Sequence, residues 1–305
     1  MSAEEMGQVA TLTGMVSQYW PAARDREGDT LAALQWMREQ DFFRAFQTVE
    51  VPYRQERRAI AQLLHSPNLY LDYCIARVLN EENANLSSLD EAQRARSVRL
   101  VKEQLADAHQ AEAAAVSMVP GRRPERGADR AAALNALQRS MVELVAYAAD
   151  RFPNISLVLE PLDVHAHKQH TLGYAAEVVA LCDALRAEGL SLRINVDTAH
   201  CWLNKEDPLE MLQAVRPSVQ EFHFCNCVTD PTDVRYGDRH LAFGEPGRMT
   251  QRTMADILRT LLSTGFLNPS QKPYLLLEVI KPPYVDSETH VRNCQQFFTD
   301  ALALV

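Results

Sequence analysis

The sequence lacks the features that mark membrane, secreted and multidomain proteins. No apolar run approaches the roughly 20 residues that span a bilayer, residues 275–280 being among the longest. Glu4 and Glu5 precede any apolar stretch and no basic segment leads the chain, so no secretory signal is expected. Because Gly/Ser linkers, low-complexity tracts and repeats are also missing, we expect one cytoplasmic domain over residues 1–305 that does not bind membranes.

Basic residues and cysteines are also scarce. Lys and Arg number 31 against 40 Asp and Glu, which gives a net charge of −9. This charge repels nucleic-acid phosphates and anionic lipids, so neither is an expected partner. Six cysteines are scattered over a chain too long to need disulfides, which favours free thiols in a reducing compartment. The 47% hydrophobic content is ordinary for a globular protein with a sizeable core.

Short β-rich apolar runs alternate with longer segments of helical periodicity. The helical stripes include Leu137, Met141 and Leu144 in one segment and Met254 and Leu258 in another. Eight strand-then-helix units predict parallel strands that close into a (β/α)8 TIM barrel, and an open doubly wound sheet is the alternative. The eight predicted strands are 11–19, 46–51, 69–76, 113–119, 156–160, 191–196, 219–224 and 274–279.

Helix-end signals agree with this pattern. Ser88 with Glu91 three residues later predicts a capping box, and Asp207 before Pro208 predicts an N-cap with proline in the first turn. Glycines 189 and 265 follow helical stripes, which is typical of helix C-termini.

Four adjacent strands in the second half each end in a side chain that can bind a metal. These residues are Glu160, Asp197, His223 and Glu278. Barrel enzymes carry their chemistry at the carboxyl ends of the strands, and period-two alternation lets all four side chains point into the barrel mouth. Three carboxylates and one imidazole suit Mn²⁺, Mg²⁺ or Co²⁺, with Mn²⁺ favoured; Zn²⁺ is a further candidate.

Other polar and aromatic residues near predicted strand ends leave alternatives open. The loop after the fifth strand carries Asp163, His167 and Lys168. Either one of these residues contacts a polar substrate, or the loop is merely solvated. Cys225 and Cys227 are spaced too closely for an ordinary zinc site, so we expect them to line the pocket. Tyr19, Trp20 and Glu50 are candidates either for substrate contact or for ordinary packing.

These motifs resemble the xylose isomerase-like barrel superfamily, which includes sugar isomerases, ketose 3-epimerases and endonuclease IV. The ordered pattern is Leu-Glu-Pro at 159–161, Val-Asp-Thr-Ala-His at 196–200, Phe-His-Phe at 222–224, Gly-Asp-Arg-His at 237–240 and Leu-Glu-Val at 277–279. It covers residues 155–281, whereas the first 80 residues agree only in the expected order of strands and helices.

The resemblance implies a role for each matching residue. The four strand-end residues would bind the catalytic metal, with Glu160 and Glu278 exchanging a proton with the substrate. His200 would bind substrate or handle a proton, and an ordinary pKa of about 6.5 would leave it neutral near pH 7. Asp238 and His240 match an Asp-x-His element that binds further metals in endonuclease IV and shapes the pocket elsewhere; with Lys168 and His167 they complete the predicted substrate-binding set.

The chain departs from the pattern at three positions. Val119 stands before Pro120 where endonuclease IV has a histidine, which makes a multi-zinc phosphodiesterase site incomplete. The ketose 3-epimerases have an arginine and a glutamate where this chain has Thr229 and Ala166, which argues against a standard 3-epimerase pocket.

The expected function is a divalent-metal-dependent sugar isomerase or epimerase that abstracts a proton next to a carbonyl through a metal-bound enediolate. Alternatives are a lyase or hydrolase on an oxidised sugar, as in C-glycoside-cleaving relatives, an endonuclease IV-like phosphodiesterase, and a barrel that binds sugar without catalysis. The expected partner is a small carbohydrate, and assembly into a homo-oligomer is left open.

Overall fold

The computed structural model describes residues 1–65 and 69–305, and this part of the chain forms a closed barrel of eight parallel strands. Each strand pairs with the next, and β1 closes the ring against β8, where Thr13 lies opposite Leu276. The TIM barrel prediction is thereby confirmed. The strands are β1 (Thr11–Met15), β2 (Ala45–Val49), β3 (Tyr70–Cys74), β4 (Ala115–Met118), β5 (Ser156–Leu159), β6 (Arg193–Asp197), β7 (Val219–Cys225) and β8 (Tyr274–Glu278).

Helices surround the barrel and bury their apolar stripes against it. The predicted stripes lie on α7 and α11, and their leucines and methionines are buried. The α-helices of the described residues are α1 (Ala3–Val9), α2 (Val16–Tyr19), α3 (Asp29–Glu39), α4 (Arg54–Leu64), α5 (Ala76–Glu81), α6 (Glu91–Gln110), α7 (Arg130–Arg151), α8 (Ala175–Ala187), α9 (Thr198–Leu203), α10 (Pro208–Val215), α11 (Gln251–Ser263) and α12 (Ser287–Leu302), with 3₁₀ turns at Gly127–Asp129 and Arg216–Ser218. Within this part of the chain no helix is long and apolar enough to cross a membrane.

The helix-end predictions hold except at α6. Asp207 caps α10, and glycines 189 and 265 adopt positive φ directly after the C-cap residues of α8 and α11. The predicted Ser88 capping box is wrong, because Asp90 is the N-cap and its side chain accepts the N–H of Ala92. Asp90 lies one residue before the helix, and its side chain satisfies a free N–H of the first turn. The hydroxyl oxygen of Ser88 instead accepts the backbone N–H of Asp90 at 3.1 Å.

The first strand is shorter than predicted. It ends at Met15, and the chain turns directly into the short helix α2. Tyr19 is fully buried there and donates its hydroxyl to the carbonyl of Leu277 at 2.6 Å, so it is a core aromatic without access to a substrate. Trp20 packs against Trp36 with ring centroids 5.5 Å apart.

The barrel interior changes from apolar to polar towards the carboxyl ends of the strands. The lower layer contains Ala45, Ala115 and Val158, with Tyr70 stacked on Tyr274 at 4.1 Å. Above it lie fully buried polar side chains that alternation turns inward: Thr13, Gln47, Asp72, Ser117, Asn195 and Glu221. A packed barrel is usually filled by branched apolar residues. The upper part of this barrel interior is therefore unusually polar.

Candidate functional site

The four predicted metal ligands converge at the carboxyl ends of β5 to β8. We call Glu160, Asp197, His223 and Glu278 the ligand group; one donor atom from each lies within 4.8 Å of all the others. Three of these residues are buried, and Glu160 is the most accessible, with 14% of its side chain exposed. The alternation of each strand turns these side chains inward, as the sequence predicts.

Specific atoms of the ligand group face a common point. Nδ1 of His223 lies 3.0 Å from Oε2 of Glu278 and 3.5 Å from Oε1 of Glu160. Oδ1 of Asp197 accepts the backbone N–H of His200 at 2.9 Å, whereas its buried Oδ2 has no hydrogen-bond partner among the described residues. Because buried polar atoms are normally paired, this free oxygen fits a bound cation.

The charges of the ligand group also favour a cation. Burial, followed by the facing carboxylates of Glu278 and Glu160, raises the pKa of Asp197 to about 7, although His200 opposes them. Burial lowers the pKa of His223, but the surrounding carboxylates of Glu160, Glu221 and Glu278 raise it well above its usual value. Both shifts arise where burial and neighbouring carboxylates act on the same group. A divalent ion would supply the missing positive charge.

A further contact holds Glu278 in place. Nε2 of Gln18 donates to Oε1 of Glu278 at 3.0 Å, and Nδ1 of His240 lies 3.2 Å from the same oxygen. Burial would raise the pKa of Glu278, but the imidazoles of His240 and His223 lower it to about 2. Sequence analysis missed Gln18, because the predicted strand concealed the helix that carries it.

A second cluster lies beside the ligand group around the fully buried Asp238. We call Asp238, Lys168, His200 and His240 the Asp238 cluster. Oδ2 of Asp238 lies 3.1 Å from Nζ of Lys168, 3.1 Å from Nε2 of His240 and 3.8 Å from Nε2 of His200. Burial would raise the pKa of Asp238, but these neighbours hold it well below its usual range. The structure thus brings together four of the five residues predicted to bind substrate.

The Asp238 cluster also offers three donor atoms within 4.8 Å of one another, from Cys225, Asp238 and His240. Sγ of Cys225 lies 3.6 Å from Oδ1 of Asp238 and 3.5 Å from Nδ1 of His240. The ammonium of Lys168 already balances the charge of Asp238. Because this charge is already balanced, the cluster is a weaker candidate for a metal than the ligand group. Cys227 lies apart from it, with Sγ 3.8 Å from the carbonyl of Ala199.

Asp163 organises the loop after β5. Its Oδ1 accepts the backbone N–H groups of His167 and Lys168, and its Oδ2 lies 3.4 Å from Nδ1 of His200. Burial lowers the pKa of His200, but the charge of Asp238 and the hydrogen bond to Asp163 raise it to about 10. The two buried carboxylates that flank the ring favour its protonated form, whereas the sequence predicts a neutral His200 near pH 7.

His167 packs against the loop after β7. A Cβ built at Gly237 would lie 2.8 Å from Cβ of His167, and Gly237 has a φ of 102°. This contact joins the two loops that carry Lys168 and Asp238.

The Gly237→Ala substitution should lower the free energy of unfolding by about 1–3 kcal/mol, because it combines a disfavoured φ with a steric clash. Gly7→Ala is the matched control, since a Cβ at this helical position meets nothing within 4 Å and should stabilise α1. Denaturant unfolding of both variants measures the difference. Equal free energies of unfolding for the Gly237→Ala and Gly7→Ala variants would show that the loop contact does not constrain the site.

Glu50 lies at the end of β2, where sequence analysis left its role open. It is buried and pairs with Arg24, with 2.7 Å between Nη1 and Oε1. Arg24 also bonds to Glu81 through both terminal nitrogens. In the structure Glu50 therefore takes part in an ion pair between the loops after β1 and β2.

The sequence matches the model for xylose isomerase-like TIM barrels over residues 20–299, so the chain belongs to this family. Its fold resembles that of an L-ribulose 3-epimerase, with a TM-score of 0.71, 15% identity, and 96% of this chain and 95% of that chain covered. At these identities the likeness shows a shared fold alone. A search of curated protein sequences found no match.

Two further solved structures have the same architecture. D-psicose 3-epimerase from Clostridium cellulolyticum H10, solved with D-tagatose, has a TM-score of 0.67 at 12% identity, with 96% and 97% of the two chains covered. The IolI protein, solved with a bound zinc atom, has a TM-score of 0.66 at 12% identity, with 96% and 98% covered.

Proposed function

We propose that this chain is a divalent-metal-dependent isomerase or epimerase of a small carbohydrate and that the ligand group holds Mn²⁺. The observation that carries this proposal is the convergence of three carboxylates and one imidazole at the carboxyl end of a barrel. Oxygen-rich sets of this kind suit Mn²⁺ better than sites built from thiolates. When bound, such an ion polarises a carbonyl and an adjacent hydroxyl, which acidifies the proton on the carbon between them.

Glu160 and Glu278 are the residues proposed to move that proton. They follow β5 and end β8, which are separated by two strands, so their carboxylates reach the mouth from different directions. One carboxylate can remove a proton and the other can return it. This transfer would invert the configuration at that carbon in an epimerase, or move the carbonyl to the neighbouring carbon in an isomerase. Gln18 and His240 hold Oε1 of Glu278, which leaves Oε2 facing the ligand group.

The Asp238 cluster is proposed to hold the hydroxyl groups of the substrate. Lys168 keeps 34% of its side chain exposed, and His240 keeps 13%, so both can reach a ligand at the mouth. Fully buried Asp238 fixes these two side chains, and His200 lies behind it. His167, which packs against Gly237, contributes by holding the loop in place.

A lyase or hydrolase acting on an oxidised sugar is the second candidate function. Thr229 and Ala166 stand where the resembling 3-epimerases have an arginine and a glutamate, which argues against a standard 3-epimerase pocket and keeps this alternative open. Phosphodiester cleavage is less consistent with the structure, because Lys168 balances Asp238 and the chain carries a net charge of −9.

Incubating the Mn²⁺-loaded chain in D₂O with a panel of ketoses and oxidised glycosides tests the function. We expect metal-dependent incorporation of deuterium at the carbon next to the carbonyl, together with an epimer or isomer, both followed by NMR. Release of a leaving group after the same exchange would instead identify a lyase. No exchange on the panel, combined with metal-dependent nicking of an abasic duplex, would overturn the proposal. The chain treated with EDTA is the control.

A further inference from the structure

Glu221 lies on the inner face of β7, two residues before His223. Both side chains are fully buried, with exposures of 0% and 1%. Oε2 of Glu221 lies 3.3 Å from Nε2 of His223, the ring nitrogen on the opposite side from the ligand group. The imidazole of His223 thus lies between the Glu221 carboxylate on one side and the carboxylates of Glu160 and Glu278 on the other.

The atoms at this contact have no other partner. Among the described residues, Nε2 of His223 and both carboxylate oxygens of Glu221 lack a hydrogen bond of good geometry. Asn195, which faces Glu221 across the β6–β7 pair, also keeps its amide atoms unpaired. Because unpaired polar groups are costly in a barrel interior, the close approach of Glu221 to Nε2 calls for an explanation.

We propose that Glu221 is a positioning residue that accepts the Nε2–H of His223 and thereby keeps the lone pair of Nδ1 directed at the metal ion. A neutral imidazole has a proton on one nitrogen only, and it binds a metal through the other. An acceptor at Nε2 selects the correct tautomer and fixes the ring orientation. This inference rests on the proposed metal binding, and it assigns Glu221 a role in metal affinity.

A role in metal affinity differs from a role in packing. If Glu221 merely filled the barrel, its replacement would lower thermal stability and leave the bound state unchanged. If it orients His223, its replacement weakens metal binding, because nothing then fixes the rotamer and the tautomer of the ring before the metal binds. Loss of such an outer partner typically weakens binding by about 10- to 100-fold.

Co²⁺ titration of the full chain, followed by visible absorption, measures this affinity directly. We expect Glu221→Leu to raise the Kd for Co²⁺ by about 10- to 100-fold. Glu221→Gln retains an uncharged acceptor and should show a smaller increase. Asp72→Asn is the matched control, since Asp72 is another fully buried carboxylate of the barrel interior and pairs with Gln47 at 2.7 Å. It should change the Kd far less than Glu221→Leu does.

A spectroscopic measurement completes the test. In the Zn²⁺-loaded wild type, the Nε2 proton of His223 should exchange slowly with water and give a resolved imidazole N–H signal. We expect Glu221→Gln to speed this exchange. A Glu221→Gln variant with the wild-type Kd and the wild-type N–H signal would overturn the inference, whether or not Glu221→Leu folds. A wild-type chain that binds no Co²⁺ would instead contradict the proposed function.

Discussion

Replacing Asp197 with alanine should abolish divalent-metal binding by the chain. Asp197 is 2% exposed, and its Oδ2 is a buried oxygen without a partner among the residues described. The backbone N–H of His200 occupies the other oxygen, so Oδ2 is the atom available to a cation. Removing it takes away a charged donor from a group of four.

Two measurements check this prediction. Metal analysis after gel filtration should find one ion per wild-type chain and none in the Asp197→Ala variant. At a metal concentration 100 times the Kd, binding should stabilise the wild type by about 2.7 kcal/mol, and this gain should vanish in the variant.

Cys227→Ala is the control, because Sγ of Cys227 lies near a backbone carbonyl and outside the ligand group. This variant should retain the ion. An Asp197→Ala chain with wild-type metal content would contradict the assignment of the ligand group.

Strand order and the ligand group could be predicted from the sequence because both follow from short-range patterns. Alternation fixes which side chains of a strand share a face, and a closed parallel barrel brings all strand ends to one rim. Glu160 and Glu278 are 118 residues apart in the chain, yet this logic places both at the mouth without knowledge of any contact.

Contacts between loops could not be predicted in this way. Lys168 reaches Asp238 across two loops that have no periodicity, and the pairing depends on how Asp163 and Gly237 shape the backbone. Alternation does place Glu221 on the same face as His223. Its approach to Nε2 depends on side-chain rotamers, which the sequence does not specify.

Replacing His200 with alanine should lower the turnover number while the chain keeps its metal. We expect a decrease of about 10²- to 10⁴-fold, which is the usual size of a general acid or base contribution. The ring lies between Asp163 and Asp238, with contacts of 3.4 and 3.8 Å, so its loss disturbs the cluster proposed to hold the substrate. The metal should remain, because His200 contacts Asp197 through its backbone N–H, which alanine retains.

His290→Ala is the matched control for the loss of a buried imidazole. His290 is 3% exposed, packs its ring against Tyr19, and lies near the carbonyl of Val279, so its removal should lower the melting temperature with near-normal turnover. Metal content, melting temperature and turnover measured on one preparation of each variant separate the possible roles of His200. Loss of metal in His200→Ala would make His200 a ligand. A lower melting temperature with normal turnover, as in His290→Ala, would make it structural, because the Asp238 cluster would then hold substrate without it.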